Sequence, residues 1–252
     1  MTFKNINIYF SSECKGNCIY CYLPDKHILS QHNNEIQNWI KTNQYLLDIQ
    51  KFSENNLEIL GFWGAEPLIN INLLDTDKLI SSFPKLHQIT FSTSFSKINI
   101  NNFINFIKKL NNSKKLYPQP FLKLGIQISF DGSEELNDFS RNKGTTKRLL
   151  NNLDFFVNTF NEIEFKNLSI TFSSSNTIDS SMLDFLAENI DSQHKYFNDL
   201  NILYKNKNKN KNINFNFIFT TKMAGSVSYT KNDGIKYALL QKHEIENNKK
   251  IA

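Results

Sequence analysis

The sequence predicts an α/β fold, an incomplete (β/α)6 parallel barrel. Three observations carry that expectation. Six short apolar or alternating segments are interleaved with segments of helical period, the pattern of βα units around a parallel sheet. Right-handed crossovers then put every strand's C-terminal end on one rim. The residues with unusual chemistry follow those strand ends, where barrel active sites form.

The elements follow in order. Residues 5–10 alternate Ile6, Ile8 and Phe10 and read as a strand. A loop with Gly16 and Asn17 comes next. Residues 34–52 carry Ile36, Trp39, Ile40, Leu46, Leu47 and Ile49 at roughly helical spacing. An apolar run at 57–62, bounded by Asn55-Asn56 and Gly64, is a buried strand. Residues 75–83 are helical and stop at Pro84, and 88–93 form the third strand. The stripe Phe103, Phe106, Ile107, Leu110 marks a helix over 101–110, and 121–130 is the fourth strand, ending at Asp131-Gly132. An amphipathic helix over 145–160, a strand over 168–172 and a helix over 181–198 follow. The sixth strand is 213–219, with a last helix at 234–247. The run Lys205 to Asn212 alternates Lys and Asn; too polar to bury a face, it reads as a flexible linker before the last strand. Residues 1–252 are taken as a single core domain.

Composition narrows the function classes. The 252 residues are 40% hydrophobic and 13% aromatic, enough for a core. The net charge of +5 comes almost wholly from Lys, with Arg only at Arg141 and Arg148. Asn is abundant, as in an AT-rich coding bias, so the Lys excess is a solvated surface and nucleic-acid binding is not expected. No apolar run reaches the roughly 18 residues of a membrane span. The N-terminus has no secretory pattern. With an odd cysteine count, this points to a reducing cytoplasm, where clustered cysteines indicate metal or redox chemistry.

All three cysteines, Cys14, Cys18 and Cys21, fall within eight positions directly after the first strand. Three thiolates cannot pair off as disulfides. They leave one position open on a four-coordinate metal or on one iron of a cubane cluster. Zinc with His27 or His32 as fourth ligand and a [4Fe–4S] cluster are both compatible with this donor set. The histidines at 27, 32, 87, 194 and 243 show no spacing for a second metal.

The stretch Cys14-x3-Cys18-x-Tyr20-Cys21 resembles the signature of the radical S-adenosylmethionine superfamily. Gly64-Ala65-Glu66-Pro67, after the second strand, resembles that family's Gly-Gly-Glu-Pro motif. The segment Ile128 to Gly132, with Arg141 beyond it, resembles the subgroup that modifies peptides and proteins, including anaerobic sulfatase-maturing enzymes and peptide maturases. The resemblance covers residues 5–220 and lacks that subgroup's cysteine-rich extension with auxiliary clusters. Two positions depart from the pattern: Ala65 stands for a glycine, tolerable unless φ must be positive, and Thr93-Ser94 stands where relatives carry Thr-Asn.

The resemblance implies an iron–sulfur enzyme. Cys14, Cys18 and Cys21 would hold a [4Fe–4S] cluster whose free iron binds the amino-acid end of S-adenosylmethionine. Reductive cleavage to a 5′-deoxyadenosyl radical, then hydrogen abstraction from a peptide or protein side chain, is the implied reaction. Electrons would come from an external one-electron reductant such as a flavodoxin or ferredoxin. Tyr20 would pack near the adenine or the cluster, and the backbone at Gly64, Ala65 and Glu66 would receive the ammonium group. Ser94 would lie near the cofactor, Ser129 would bond the ribose, and Arg141 would engage the carboxylate. The plainer reading of Arg141 is an ion pair with Glu134 or Asp138, and of Asp131 a turn cap with Gly132. No catalytic acid or base is identified. The alternatives are a glycyl-radical activase and a degenerate or zinc-stabilised binding module.

Overall fold

A computed structural model of the chain describes residues 2–21, 26–117, 120–220, 233 and 236–242. Six strands form one sheet: β1 (Asn5–Ser11), β2 (Ile59–Gly64), β3 (Gln88–Thr93), β4 (Leu122–Ser129), β5 (Leu168–Ser175) and β6 (Ile213–Asn216). Each pairs only with its neighbours in sequence, and every pairing is parallel. β1 and β6 do not pair with each other, so the sheet is an open, incomplete (β/α)6 barrel.

Among the described residues seven helices make the crossovers: α1 (Lys26–Lys41), α2 (Gln44–Ser53), α3 (Thr76–Ser82), α4 (Ile100–Leu116), α5 (Glu134–Arg141), α6 (Thr145–Phe160) and α7 (Leu183–Lys207). The core lies between them and one face of the sheet. Phe62 and Phe91 stack at 4.7 Å, and Phe172 stacks on Phe215 at 5.3 Å while meeting Phe156 of α6 at 5.0 Å. The opposite face of the same strands carries Thr90, Ser92, Gly125, Gln127, Thr171 and Ser173, none fully buried. Strand alternation therefore separates a helix-covered apolar face from a polar, open one.

Three expectations change. The helical stretch at 34–52 is two helices, because Asn43 takes a left-handed φ of 58° and breaks the run. α5 was not anticipated: its eight residues bury only Leu136, Asn137, Ser140 and Arg141, and its acidic first turn, Glu134-Glu135, is its clearest sequence signal. The Lys–Asn run is built rather than free: Lys205–Lys207 close α7, and the amide of Asn210 donates to the Phe160 and Ile163 carbonyls at 2.8 and 2.7 Å. Apolar burial was the wrong criterion for it, since side-chain amides anchor this turn. Within the expected 234–247 helix, 236–242 are helical and the rest lies outside the described residues. Among the described residues no helix is long and apolar enough to cross a membrane.

Candidate functional site

β1 delivers the cysteine loop to the rim. Its last pairing joins Ser11 to Gly64, after a register irregularity between Tyr9 and Ser11. Beyond it, Cys14 and Cys18 are half-buried and Cys21 is exposed, none of them in a disulfide. The Gly16 N–H donates to Cys14 Sγ at 3.2 Å. A side chain at 16 would crowd both sulfurs, since its Cβ would sit 3.2 Å from Cys14 Sγ and 3.9 Å from Cys18 Sγ. Backbone bonds fix the loop from several sides: Cys21 N–H to the Cys18 carbonyl at 3.2 Å, and Ile19 N–H to the Ser140 carbonyl at 3.0 Å. Lys97 Nζ donates to the Lys15 carbonyl at 2.7 Å. Ser12, at the loop's base, is buried, and its hydroxyl has no partner among the described residues.

The Gly64 to Pro67 segment is locked to both neighbouring strands. Gly64 has a φ of +132°, and a Cβ there would lie 2.2 Å from the Ser11 carbonyl, so only glycine fits. Ala65 is not among the residues at positive φ, and its N–H donates to the Ser11 carbonyl at 2.8 Å. The missing second glycine therefore costs the backbone nothing. Glu66 is buried and accepts four hydrogen bonds: from Thr93 Oγ1 at 2.6 Å, Ser94 N–H at 2.8 Å, Ser94 Oγ at 2.6 Å and Leu68 N–H at 3.3 Å. Burial pushes its carboxyl above the usual range, against the downward pull of those bonds. Glu66 and Ser94 thus brace the ends of β2 and β3. Phe95, next along, is buried at φ +54° with its carbonyl held by Asn152 Nδ2 at 2.8 Å, strain placed at the rim.

On the other side of the loop, Asp131 is the centre of a network. It is fully buried and receives Arg141 Nε at 2.6 Å, Arg141 Nη2 at 3.1 Å, the Thr177 N–H at 2.9 Å and the Tyr20 hydroxyl. Its own N–H donates to Asn137 Oδ1 at 2.9 Å. Arg141 Nη1 reaches Cys18 Sγ at 3.6 Å, and Arg141 Cζ lies 5.3 Å from the centre of the Tyr20 ring. Burial alone would lower the Arg141 pKa; Asp131, with Tyr20 and Cys18, reverses this and holds it above its ordinary value. Burial, reinforced by Asp131, likewise keeps the Tyr20 phenol protonated. Arg141 is therefore not in a surface pair with Glu134 or Asp138. Asp138 instead accepts from the Thr146 N–H at 2.8 Å and from the Gly144 N–H, seating the start of α6.

The sequence-derived residues thus fall into two groups on either side of the thiols: Gly64, Ala65, Glu66 and Ser94, and Tyr20 with Arg141. Ser129 ends β4 opposite Ser175. Phe95 is the residue that sequence reasoning passed over, while Asp131 entered it only as a turn cap and Thr93 only beside Ser94. Asp131 had one usable signal, the charge balance that a buried Arg141 demands. His32 is exposed and turned to Glu35 at 3.4 Å, while the side chain of His27 and all of His243 lie outside the described residues. Among the described residues no three His, Cys, Asp or Glu side chains gather as around a single metal ion. Three cysteines in one loop are a donor set that suits a thiolate-held cluster, while the His27 imidazole that zinc would need lies outside the described residues.

No family model matches the chain. An uncharacterized protein of Methanocaldococcus jannaschii is 30% identical over 138 residues, which are 55% of this chain and 42% of that protein. Among solved structures, native anSMEcpe with bound AdoMet and a peptide superposes with a TM-score of 0.50 at 16% identity, over 92% of this chain and 56% of that one. Native anSMEcpe with bound AdoMet gives 0.49 and 16%, over 93% and 58%. The chain spans less than half of the curated relative and little more than half of these structures. Its fold is that of the radical S-adenosylmethionine partial barrel to which anSMEcpe, an anaerobic sulfatase-maturing enzyme, belongs.

Proposed function

We propose that the chain is a radical S-adenosylmethionine enzyme acting on a peptide or protein side chain. One observation carries the reading: a loop of three cysteines, none in a disulfide, at the C-terminal rim of an open parallel barrel, braced on both sides by buried networks. Cys14, Cys18 and Cys21 would hold a [4Fe–4S] cluster. When bound, that cluster with S-adenosylmethionine supplies reductive cleavage to a 5′-deoxyadenosyl radical that abstracts hydrogen from the substrate.

The chain's own residues do the rest. Gly64 brings the backbone close enough to β1 for the segment's carbonyls to serve as acceptors for an ammonium group. Glu66 does not offer its carboxylate, which four donors already occupy; it holds that backbone still. Arg141 has five N–H groups. Asp131 and Cys18 take three, leaving one on each terminal nitrogen for a carboxylate. Ser129 has no side-chain hydrogen bond to a described residue and is placed at the inner rim for a ribose. The neutral amides and hydroxyls of the inner face suit the hydrogen-bonding demands of a peptide, as does the peptide bound in the anSMEcpe structure. An external one-electron donor such as a flavodoxin or ferredoxin would supply the electron.

Anaerobic reconstitution with iron and sulfide tests the reading. The expected result is about four irons per chain, dithionite-dependent release of 5′-deoxyadenosine, and loss of both in Cys18→Ala. Failure of the wild-type protein to take up iron or to release 5′-deoxyadenosine would sink it.

A further inference from the structure

Asp131 belongs to none of the cofactor-binding positions anticipated above, yet its carboxylate accepts four hydrogen bonds, as many as Glu66 does. Its carboxylate takes the Nε–Nη2 edge of Arg141 in a bidentate pair, a geometry that fixes the plane of the guanidinium. The Tyr20 hydroxyl and the Thr177 N–H fix the carboxylate in turn. Asn137, also fully buried, holds the Asp131 backbone and donates its own amide to Thr146 Oγ1 at 2.9 Å. Every torsion that could swing Arg141 away is thereby restrained. What this leaves is one N–H of Nη2 and both of Nη1, which lies 3.6 Å from the sulfur of Cys18.

A hydrogen bond to a thiolate that holds a cluster draws negative charge from the sulfur. It favours the reduced state, which carries one more electron, and so raises the potential. The net charge of the Arg141–Asp131 pair is near zero, so its effect at Cys18 depends on direction rather than on a bare positive charge.

We propose that Asp131 is a positioning residue that aims Arg141 Nη1 at the Cys18 sulfur, and that this N–H···S bond raises the reduction potential of the cluster held by the three thiolates. The proposal rests on the reading of Cys14, Cys18 and Cys21 as cluster ligands. Its two halves, donor and aim, are read from different substitutions. Arg141→Gln removes the donor and lowers the potential. Asp131→Asn removes a buried negative charge, which by itself would raise the potential, but it also releases the aim, which lowers it.

The experiment is a potentiometric titration followed by electron paramagnetic resonance, on anaerobically reconstituted full-length protein without S-adenosylmethionine. Iron and sulfide are counted for each variant. The expected result is a shift to more negative potential in Arg141→Gln, Arg141→Lys and Asp131→Asn at wild-type iron content. A potential that stays unchanged or rises in Asp131→Asn overturns the proposal. Should that variant not fold, Arg141→Lys, which keeps a cation but loses the fork, decides instead, and an unmoved potential there is equally fatal. Wild-type protein that takes up no cluster overturns the enzyme reading itself, an outcome visible before any variant is compared.

Discussion

Two neighbouring rows of residues cross the whole sheet one position apart. Ile8, Phe62, Phe91, Ile126, Phe172 and Phe215 are register partners on the six strands, and all but Phe215 are buried. One residue earlier in each strand, the row is Asn7, Gly61, Thr90, Gly125, Thr171 and Asn214. It contains no apolar side chain. Parallel strands normally read as continuous apolar runs because both faces are covered, and a closed eight-stranded barrel fills its interior with branched side chains. This sheet does neither. Its helix side is a packed core, and its inner side is open and polar along this row, with Tyr9 and Trp63 exposed farther towards the rim.

The sharpest way to break the contrast is to truncate one residue from each row. Phe172→Ala removes a fully buried ring in contact with Phe95, Phe156 and Phe215. It should cost about 3–5 kcal/mol in urea unfolding. Thr171→Ala, its neighbour on the inner row, should stay within about 0.5 kcal/mol. Equal losses would show that the inner face is packed after all.

The rim, where the two faces meet, comes next. Gly64→Ala forces a strained φ and drives a Cβ into the Ser11 carbonyl, so it should cost about 1–3 kcal/mol by backbone strain alone. Ala65→Gly should cost less than 1 kcal/mol, a difference readable from the two denaturation midpoints. Glu66→Gln keeps the shape but sets an amide N–H₂ against donors from Ser94. A loss of about 1–3 kcal/mol is expected, with β2 and β3 loosening at their ends in amide hydrogen exchange.

The smallest effect belongs to the helix side at low pH. Burial raises the Asp138 pKa, but bonds from Thr146 and Gly144 outweigh it, and the folded value lies below the ordinary one. The folded state therefore binds fewer protons at this site than the unfolded chain. The stabilisation is complete above the unfolded value near pH 4 and is lost as pH falls through the folded value. Wild type should exceed Asp138→Asn in stability at pH 6 and converge on it as pH falls through the lowered folded value.

Much of the fold was legible because strand alternation is a strong local signal. The strand at 88–93 and the helix at 145–160 coincide with β3 and α6. The break at Asn43 escaped because nothing there is Gly or Pro; the turn depends on an asparagine tolerating a left-handed backbone. α5 escaped because a short polar helix has little apolar stripe to detect, and with it went the element that carries Arg141. The cysteines, Gly64 and Arg141 were found from motif and spacing. Asp131 was assigned to its turn because Asp-Gly is locally sufficient; its partnership with Arg141 runs through a helix and the cysteine loop and exists only in three dimensions.

The Lys–Asn run has a consequence for how this sequence can vary. Asn208, Asn210 and Asn212 each point an amide at backbone, Asn212 reaching the Phe165 carbonyl at 3.0 Å, while Lys209 and Lys211 are exposed. The repeat is thus phased, one residue inward and the next outward. Copying errors that add or drop a Lys–Asn unit keep the phase and can be absorbed in the turn. An error of a single residue puts lysine ammonium groups against the Phe160 and Ile163 carbonyls and asparagines into solvent. A tract that looks like mutational noise is free to drift only in steps of two.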